Sequence, residues 1–342
     1  MNSAAFIYGA RDVRVESSPA PTSESGKVAV DVAAVGLCGS DLHYYKDGGI
    51  GSATIDQPFT PGHEFAARLQ TDVESRGLHK GQLVAVDPAL PCHQCQWCQR
   101  GHHNLCPSVV FLGGPPYNGA MTQSLNVPIE NLVELPDGMT ADQGAMLEPL
   151  GVCLHALDLA KPGLLDSIAI LGCGPIGLGI LQLLQHASCG QLVAVDPLEH
   201  RRAFASRIGA DCIGHNTAAV LDATGGLGCD LVIEATNSPD GLVDAVKAAK
   251  IGATLILVGI PDGDLYTRLS AAEARRRGLT IKFSRRMGST VYPRAIDLVS
   301  RKKVDVDALV SHHFSLSDTA EAFALHDAQA DGVIKSIITI EK

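Results

Sequence analysis

A glycine-rich loop between two apolar runs constrains the fold of this 342-residue chain more than any other feature. Residues 168–171 form a short, wholly apolar run, and the pattern G-x-G-x-x-G follows directly at 172–177. Apolar residues then recur at helical spacing as far as residue 186, and a second apolar run at 192–195 ends at Asp196. A strand, a tight turn, a helix and a second strand in this order are typical of a βαβ unit in a parallel sheet.

The alternation of apolar runs and helical patterns continues to about residue 289. We expect further strands at 231–234, 254–258 and 279–283, and further helices at 199–208 and 240–249. Near-continuous apolar strands that alternate with helices predict a doubly wound parallel sheet that is covered on both faces.

The first 150 residues have a different pattern. Runs at 27–35, 82–86 and 120–127 alternate or cluster apolar residues between Gly, Pro and polar turns, without regular helical spacing between them. This pattern indicates β-strands. We therefore predict an α/β protein with a mainly β domain at 1–150 and a doubly wound domain at 151–289.

The end of the chain resumes a mixed pattern. It predicts helices at 292–300 and 318–326 and a final strand at 333–340. We expect the segment 290–342 to return to the first domain.

The strand before the glycine loop and the helix after it indicate which ligand the loop binds. Glycines at 172–177 allow a tight turn and a close approach of the backbone to a pyrophosphate, which the helix N-terminus stabilises. Asp196 lies 19 residues after the last of these glycines, can accept hydrogen bonds from both ribose hydroxyls and would repel a 2′-phosphate. The loop therefore predicts NAD rather than NADP, although Arg201 and Arg202 could soften the repulsion. A purely structural glycine turn is the alternative.

Four cysteines form the pattern C-x2-C-x2-C-x7-C at positions 92, 95, 98 and 106. Four thiolates at this spacing can close a tetrahedron around Zn²⁺ and leave no position for water, which is the arrangement of a structural site. An iron–sulfur cluster also takes four cysteines, but its usual run has a shorter last gap. A zinc ribbon that binds nucleic acid is disfavoured because no stripe of Lys and Arg surrounds the cluster.

A second set of metal-compatible side chains lies well apart from these cysteines. Cys38 and His43 occur in 36–45, and His63 and Glu64 occur in the tripeptide G-H-E. A lone Cys is more often a small buried apolar residue, so each piece alone is weak. Glu148 lies in an apolar run and needs a cation or a proton as partner unless it occupies an exposed turn. Three protein ligands and an open position would make a catalytic zinc site.

Composition excludes several classes of protein. The chain has 27 Lys and Arg against 37 Asp and Glu, and the formal net charge of −10 disfavours binding to a phosphate backbone. No apolar run reaches the length of a membrane span, and residues 1–15 lack the pattern of a secretory signal. Ten cysteines with four crowded together indicate reduced thiols and metal rather than a disulfide scaffold. We therefore expect a cytoplasmic protein.

Together these motifs resemble the zinc-containing medium-chain dehydrogenase/reductase family over essentially the whole chain. The motifs appear in the family's order: G-x-C-G-S-D-x-H at 36–43, G-H-E at 62–64, the four-cysteine lobe at 88–108, E-P-L at 148–150 and the glycine loop at 172–177. The resemblance implies a GroES-like catalytic domain and a Rossmann domain, with the C-terminal segment returning to the former.

The resemblance also implies the role of each site residue. The ligands of a catalytic zinc would be Cys38, His63 and Glu64, with Glu148 taking part directly or through water. Ser40 and His43 would relay the proton. A structural zinc would be held by Cys92, Cys95, Cys98 and Cys106. NAD would be bound by Gly172, Gly174, Pro175, Ile176, Gly177, Asp196, Arg201, Val258, Gly259 and Ile260.

Within the family, residues 38–45 together with 49–51 look most like the sorbitol (polyol) dehydrogenase branch, to which L-idonate 5-dehydrogenase and L-threonine 3-dehydrogenase are similar. Tyr44 matches a polyol-contacting tyrosine of that branch, although its ring could instead pack against the wall of the cleft. The branch carries a substrate-binding arginine followed by an aromatic residue. Here the sequence has Arg285, Arg286 and then Met287, so the aromatic residue is missing. We assign the substrate role to Arg286, with Arg285 one position away.

The implied activity is transfer of a hydride from a secondary alcohol of a polyol to NAD, in a homo-oligomer that is a dimer or a tetramer. A sugar-acid or L-threonine dehydrogenase is the alternative within the family. A non-catalytic zinc protein and a zinc-free quinone reductase on the same scaffold are disfavoured because every proposed ligand and both relay residues are present.

Overall fold

The computed structural model describes residues 2–51, 53–260, 269 and 271–340. Its contacts divide the chain into two compact units. The first unit contains residues 1–149, 288–300 and 306–342, and the second contains 150–287 and 301–305. The C-terminal residues from 306 onward therefore belong to the same unit as the N-terminal half of the chain.

The first unit is built around a mixed sheet. Its elements in the N-terminal half are β1 (Asn2–Gly9), β2 (Asp12–Ser18), β3 (Lys27–Gly36), α1 (Gly39–Asp47), β4 (Gly49–Ile50), β5 (Ala53–Thr54), β6 (Glu64–Leu69), β7 (Leu83–Val86), β8 (Ala89–Leu90), α2 (Gln96–Gln99), β9 (Val110–Phe111), β10 (Ser124–Pro128) and β11 (Leu132–Glu134). Helix α3 (Ala141–Ala160) begins in this unit and ends in the second. Its later elements are α9 (Tyr292–Ser300), β18 (Val310–Ser315), α10 (Thr319–Ala328) and β19 (Lys335–Thr339).

Strand β3 organises this sheet. The strand order is β11-β7-β6-β3-β19-β18, and β10 also pairs with β3. β6 and β19 both run antiparallel to β3, so the last strand of the chain lies beside the strand that leads to α1. Inward side chains such as Val30 and Val35 are fully buried in the apolar core of this unit.

Helices α1 and α3 were not visible in the sequence pattern of residues 1–150, which indicated mainly strands. Helix α1 is short, and it buries the polar residues Asp41 and His43 beside Tyr44, so it shows no simple apolar face. Helix α3 contains Pro149, and its residues 144–151 are buried on all sides. A helix that is buried all round has no periodic polar face for sequence reasoning to detect.

The strand predicted at 120–127 also begins later than expected, since β10 starts at Ser124. The N–H groups of Ala120 and Met121 bond to the carbonyls of Gly62 and Pro61 instead of to a sheet neighbour. These two hydrogen bonds therefore hold the loop that precedes β6.

The second unit contains the doubly wound parallel sheet that the sequence predicts. Its elements are β12 (Ile168–Leu171), α4 (Pro175–Leu184), β13 (Leu192–Val195), α5 (Glu199–Arg207), β14 (Cys212–Gly214), α6 (Ala218–Ala223), β15 (Cys229–Glu234), α7 (Gly241–Ala248), β16 (Ala249–Leu257), α8 (Ala271–Arg277) and β17 (Thr280–Phe283). All pairings are parallel, in the order β14-β13-β12-β15-β16-β17. This is the strand order of a Rossmann domain, so the predicted fold class is confirmed.

Candidate active site

The sheet register of the first unit brings three metal-compatible side chains together. Gly36 at the end of β3 pairs with Glu64 at the start of β6. Cys38 lies two residues after the end of β3, and His63 directly precedes β6, so both lie at the same end of this antiparallel strand pair. One ligand atom from each of Cys38, His63 and Glu64 lies within 4.8 Å of the others. A thiol, an imidazole and a carboxylate thus converge at one point.

Two of these three residues are buried, Cys38 is half-buried, and Glu64 also forms an ion pair with Lys335. His63 is 4% exposed and Glu64 is 2% exposed. His63 Nδ1 is buried and has no hydrogen-bond partner within the described residues. Burial raises the pKa of the Cys38 thiol well above its ordinary value, and the carboxylate of Glu64 raises it further. Burial and mutual repulsion disfavour the negatively charged forms of the thiol and the carboxylate. A bound cation would favour those forms.

Asp41 supports this site, although sequence reasoning did not single it out. Its side chain is fully buried and accepts hydrogen bonds from the N–H groups of Cys38 (3.0 Å) and Gly62 (3.2 Å). It therefore connects the two chain segments that carry the metal-compatible residues. The available signal was an acidic residue three positions after Cys38, at the first turn of the helix, where a carboxylate caps free N–H groups.

Glu148 lies on α3 and is 7% exposed, so the alternative of an exposed turn is wrong. Burial raises its pKa to about 7, while His63 lowers it and Glu64 raises it. Glu148 is outside the set of three converging ligand atoms, yet its charge interacts with all three members of that set.

Helix α1 carries the other residues predicted for the site. Ser40 is half-buried in its first turn, and His43 is 9% exposed one turn later. Tyr44 is 8% exposed and packs edge-on against Phe59 with ring centroids 5.3 Å apart. Its hydroxyl lies beside the backbone of Gly114.

The four predicted cysteines of the lobe also converge, with one sulfur from each within 4.8 Å of the others. Backbone N–H groups point at the sulfurs: Cys92 N–H donates to the sulfur of Cys106 at 3.3 Å, and Cys95 N–H donates to that of Cys92 at 3.4 Å. Hydrogen bonds from the backbone of Gln94 and Cys95 lower the pKa of the Cys92 thiol to about 6. A thiolate is the form that binds metal.

In the second unit, the glycine loop has the geometry of a phosphate cradle. Gly172 has a positive φ of 95°, and a Cβ on Gly177 would lie 1.9 Å from the carbonyl oxygen of Gly172. Gly174 is the N-cap of α4, and Pro175 is its first residue. Ile176 follows in the first turn. The free N–H groups of this helix end suit an anion.

Asp196 follows β13 and is 2% exposed. Its carboxylate accepts hydrogen bonds from the N–H groups of Cys173 and Leu198, each at 2.8 Å, so it also orders the glycine loop. The guanidinium of Arg201 lies 3.8 Å from this carboxylate, and its Nε is buried with no hydrogen-bond partner in the described part of the chain. Arg202 differs, because it donates to the carbonyls of Asp196 and Pro197.

The predicted segment 258–260 follows β16. The N–H groups of Val258 and Gly259 both donate to the carbonyl of Glu234, and a Cβ on Gly259 would lie 1.8 Å from the carbonyl oxygen of Thr236. Ile260 is 41% exposed. Arg286 lies in the same unit, is half-buried and has a positive φ of 53°, while Arg285 is exposed.

Comparison with known proteins agrees with this geometry. The GroES-like domain of alcohol dehydrogenases matches residues 24–137, and the zinc-binding dehydrogenase domain matches residues 175–301. Sorbitol dehydrogenase of Bacillus subtilis is 32% identical over 93% of this chain and 92% of its own length. The chain belongs to the zinc-containing medium-chain dehydrogenase/reductase family. The predicted family resemblance is therefore confirmed.

Other members of this zinc-dependent dehydrogenase family are similar over nearly their full length. L-idonate 5-dehydrogenase of Vitis vinifera is 30% identical over 94% of this chain and 90% of its own. An Escherichia coli structure, described as an oxidoreductase/dehydrogenase of unknown specificity involved in membrane biogenesis, superposes with a TM-score of 0.90 at 30% identity and covers 100% of this chain and 99% of its own. Among the described residues, no helix has the length and apolar character of a membrane span.

Proposed function

We propose that this protein oxidises a secondary alcohol of a polyol and transfers the hydride to NAD⁺. The observation that carries the proposal is the buried convergence of Cys38, His63 and Glu64, with Glu148 acting on it electrostatically. The three side chains belong to one catalytic zinc site, in which three protein ligands leave a fourth position for an oxygen. When bound, zinc would polarise the substrate hydroxyl, and the nicotinamide would accept the hydride.

The chain's own residues fit that chemistry. A thiol, an imidazole and a carboxylate are donor types that zinc binds, and Nδ1 of His63 lies 3.7 Å from the buried carboxylate of Asp41, which can orient the imidazole. Asp41 holds the backbone of Cys38 and Gly62 in place. Ser40 and His43 carry the substrate proton away, and Glu148 binds or orients an oxygen near the metal site.

The four-cysteine lobe binds a second, structural zinc. Its sulfurs converge and receive backbone N–H groups, as expected for a closed thiolate site. Each chain would then hold two zinc ions of different kinds.

NAD is the cofactor that Asp196 favours. Its buried carboxylate lies at the end of β13, where the ribose of a dinucleotide meets a Rossmann sheet. Arg201, with its unpartnered Nε, supplies a cation beside the glycine loop, and residues 258–260 follow β16, two strands from β12 in the same sheet.

A neutral polyol is the substrate we favour, with Tyr44 and Arg286 as binding residues. Similarity to sorbitol dehydrogenase of B. subtilis supports this assignment. A sugar acid is the second candidate, because the pair Arg285 and Arg286 offers a bidentate partner for a carboxylate and because L-idonate 5-dehydrogenase is also similar.

A substrate panel tests the proposal. NAD⁺ reduction is measured with sorbitol, xylitol, L-idonate and L-threonine, for the unaltered protein and for Arg286→Lys. Turnover of a polyol that Arg286→Lys lowers only modestly supports the favoured substrate, because a single donor still serves a hydroxyl. Turnover of L-idonate alone, with a loss of about 1.5–3 kcal/mol in transition-state binding for Arg286→Lys, assigns the sugar acid instead. No NAD⁺ reduction with any alcohol would refute the dehydrogenase assignment.

We also propose that the protein is a cytoplasmic homo-oligomer, a dimer or a tetramer. All ten cysteines are free thiols, which suits a reducing compartment. Light scattering of the purified protein measures the oligomeric state.

A further inference from the structure

Three polar residues form a stripe along helix α1. Ser40, His43 and Asp47 are separated by three and four residues, a spacing that places them on one face of a helix. The stripe begins two residues after Cys38 and ends at the last residue of the helix. Ser40 is half-buried and His43 is buried, whereas the side chain of Asp47 is 35% exposed. The stripe therefore leads from the metal-binding residues to the surface.

The contact between His43 and Asp47 defines which imidazole nitrogen is available. Nδ1 of His43 lies 3.0 Å from Oδ2 of Asp47. An ionised carboxylate can only accept a hydrogen bond, so Nδ1 must carry the hydrogen, and Nε2 of the neutral ring is left as an acceptor. Nε2 is buried and has no hydrogen-bond partner among the described residues. A buried acceptor without a partner is costly unless function supplies a donor.

Helix stability does not explain Asp47. A carboxylate in the last turn of a helix opposes the helix dipole, so this position disfavours Asp on energetic grounds. The charged groups that face this end of α1 are Arg11 and Asp327, together with Lys46 on α1 itself. Arg11 and Lys46 both pair with Asp327 on α10, at 3.0 Å and 2.9 Å. The contact with His43 thus distinguishes Asp47 from the other charged groups at this end of the helix.

We propose that Asp47 is a positioning residue of the proton relay. The inference rests on the proposed alcohol oxidation, in which the hydride goes to NAD⁺ and one proton must leave for each carbonyl formed. Asp47 holds His43 with Nε2 as the acceptor. When Nε2 takes up the proton that Ser40 passes on, an N–H bond forms, and the carboxylate stabilises the resulting imidazolium. The imidazolium then gives its Nδ1 proton to water beside the exposed carboxylate of Asp47, and the proton left on Nε2 moves to Nδ1 by exchange with water before the next cycle, so each cycle releases one proton.

Three variants of Asp47 test the proposal in the zinc-loaded protein. Asp47→Ala removes the carboxylate, Asp47→Asn keeps an acceptor without the charge, and Asp47→Glu is the conservative rescue. Asp137→Asn removes an exposed carboxylate elsewhere in the same unit and is the matched control. We measure kcat and KM for alcohol oxidation across pH, the thermal midpoint, and the protonation state of each nitrogen of His43 by ¹⁵N NMR, with His43→Gln to identify the resonance.

For Asp47→Ala we expect kcat to fall by about ten- to a hundredfold near neutral pH, with KM little changed. The loss should shrink at alkaline pH, where hydroxide accepts the proton directly. Asp47→Glu should restore most of the activity, and Asp47→Asn should fall between the two. The NMR spectrum should show hydrogen on Nδ1 in the unaltered protein and a mixture of both neutral forms in Asp47→Ala.

Two results would overturn this role. One is an unchanged His43 spectrum in Asp47→Ala, and the other is a loss of activity that is equal at every pH and accompanied by a lower thermal midpoint. An unaltered protein that oxidises no alcohol would instead refute the proposed function. The NMR comparison does not depend on a substrate and would still decide whether Asp47 positions His43.

Discussion

Lys335 and Glu64 form an ion pair in which each side chain is only 2% exposed. The ammonium group of Lys335 contacts Oε2 of Glu64 and also donates to the carbonyl of Leu37 at 2.9 Å. A Cβ on Gly36 would lie 2.2 Å from the same Oε2, so the close approach of Glu64 requires glycine there. Burial lowers the pKa of Lys335, but Glu64 and Cys38 raise it more, and the net pKa is above its ordinary value. A charged lysine thus offsets part of the negative charge around the metal site.

Replacement of Lys335 by Met should destabilise the metal-free protein strongly. Removing one partner of a buried ion pair leaves an uncompensated charge and costs about 3–5 kcal/mol in the free energy of unfolding. Zinc would replace part of the lost positive charge, so the loss should be smaller in the zinc-loaded protein. Denaturant unfolding with and without a chelator measures both values. Lys335→Arg keeps the charge and serves as control, and equal losses with and without zinc would contradict the prediction.

Mild chelation should remove one of the two proposed zinc ions. The proposed site of Cys38, His63 and Glu64 would have an oxygen ligand and an open position, whereas the proposed four-thiolate site would be closed. Metal analysis should find about one zinc per chain remaining, with the fold intact and the activity lost.

A pair of variants separates the two sites. Cys38→Ser should lose activity and keep its thermal midpoint, while Cys95→Ser should lower stability or assembly first. A Cys95→Ser protein that is stable and active with one zinc would contradict a structural role for the lobe.

Replacement of Asp196 should narrow the preference for NAD⁺ over NADP⁺. Asp196→Asn removes the charge that repels a 2′-phosphate but keeps acceptors for the N–H groups of Cys173 and Leu198. We expect the ratio of kcat/KM for the two cofactors to change by about tenfold or more, which corresponds to about 1.4 kcal/mol. Asp196→Ser should change the ratio similarly and also weaken binding of both cofactors, because the loop loses its anchor. An unchanged ratio in both variants would indicate that Arg201, and not Asp196, discriminates between NAD⁺ and NADP⁺.

Asp87 should make the protein less stable as pH rises from about 4 to about 6. Burial raises the pKa of its carboxyl to about 6, although the N–H of Ala89 donates to it at 3.0 Å. The unfolded chain has the ordinary value of about 3.9, so the folded state binds the proton more tightly, and stability present at low pH is lost as the group ionises. Asp87→Asn keeps the acceptor and should raise the free energy of unfolding by about 3 kcal/mol at neutral pH. At pH values below about 4 the gain should vanish. Thermal unfolding across pH measures this gain in stability. A gain that does not depend on pH, or the same gain in Asp137→Asn, would show that the ionisation of Asp87 is not its cause.

Contiguous patterns were sufficient to predict the second unit and the four-cysteine lobe. The apolar strand at 168–171, the glycine loop and the strand at 192–195 lie at the predicted positions, because a βαβ unit is a local arrangement of successive elements. The lobe is equally local, since its four cysteines span fifteen residues. The spacing of side chains along the backbone therefore restricts these features before any long-range contact forms.

Long-range pairing decided the rest. Glu148 was recognised as a carboxylate in an apolar run, but the helix α3 that carries it was not, because a helix segment buried on all sides has no periodic polar face. Lys335, a single charge in an apolar run, had no visible partner in sequence, and only the antiparallel pairing of β19 with β3 brings it to Glu64. The sequence by itself determined the fold class, the family and the types of ligand available. The tertiary structure decided which charges face one another, because the energy of a buried charge depends on partners that lie hundreds of residues away along the chain.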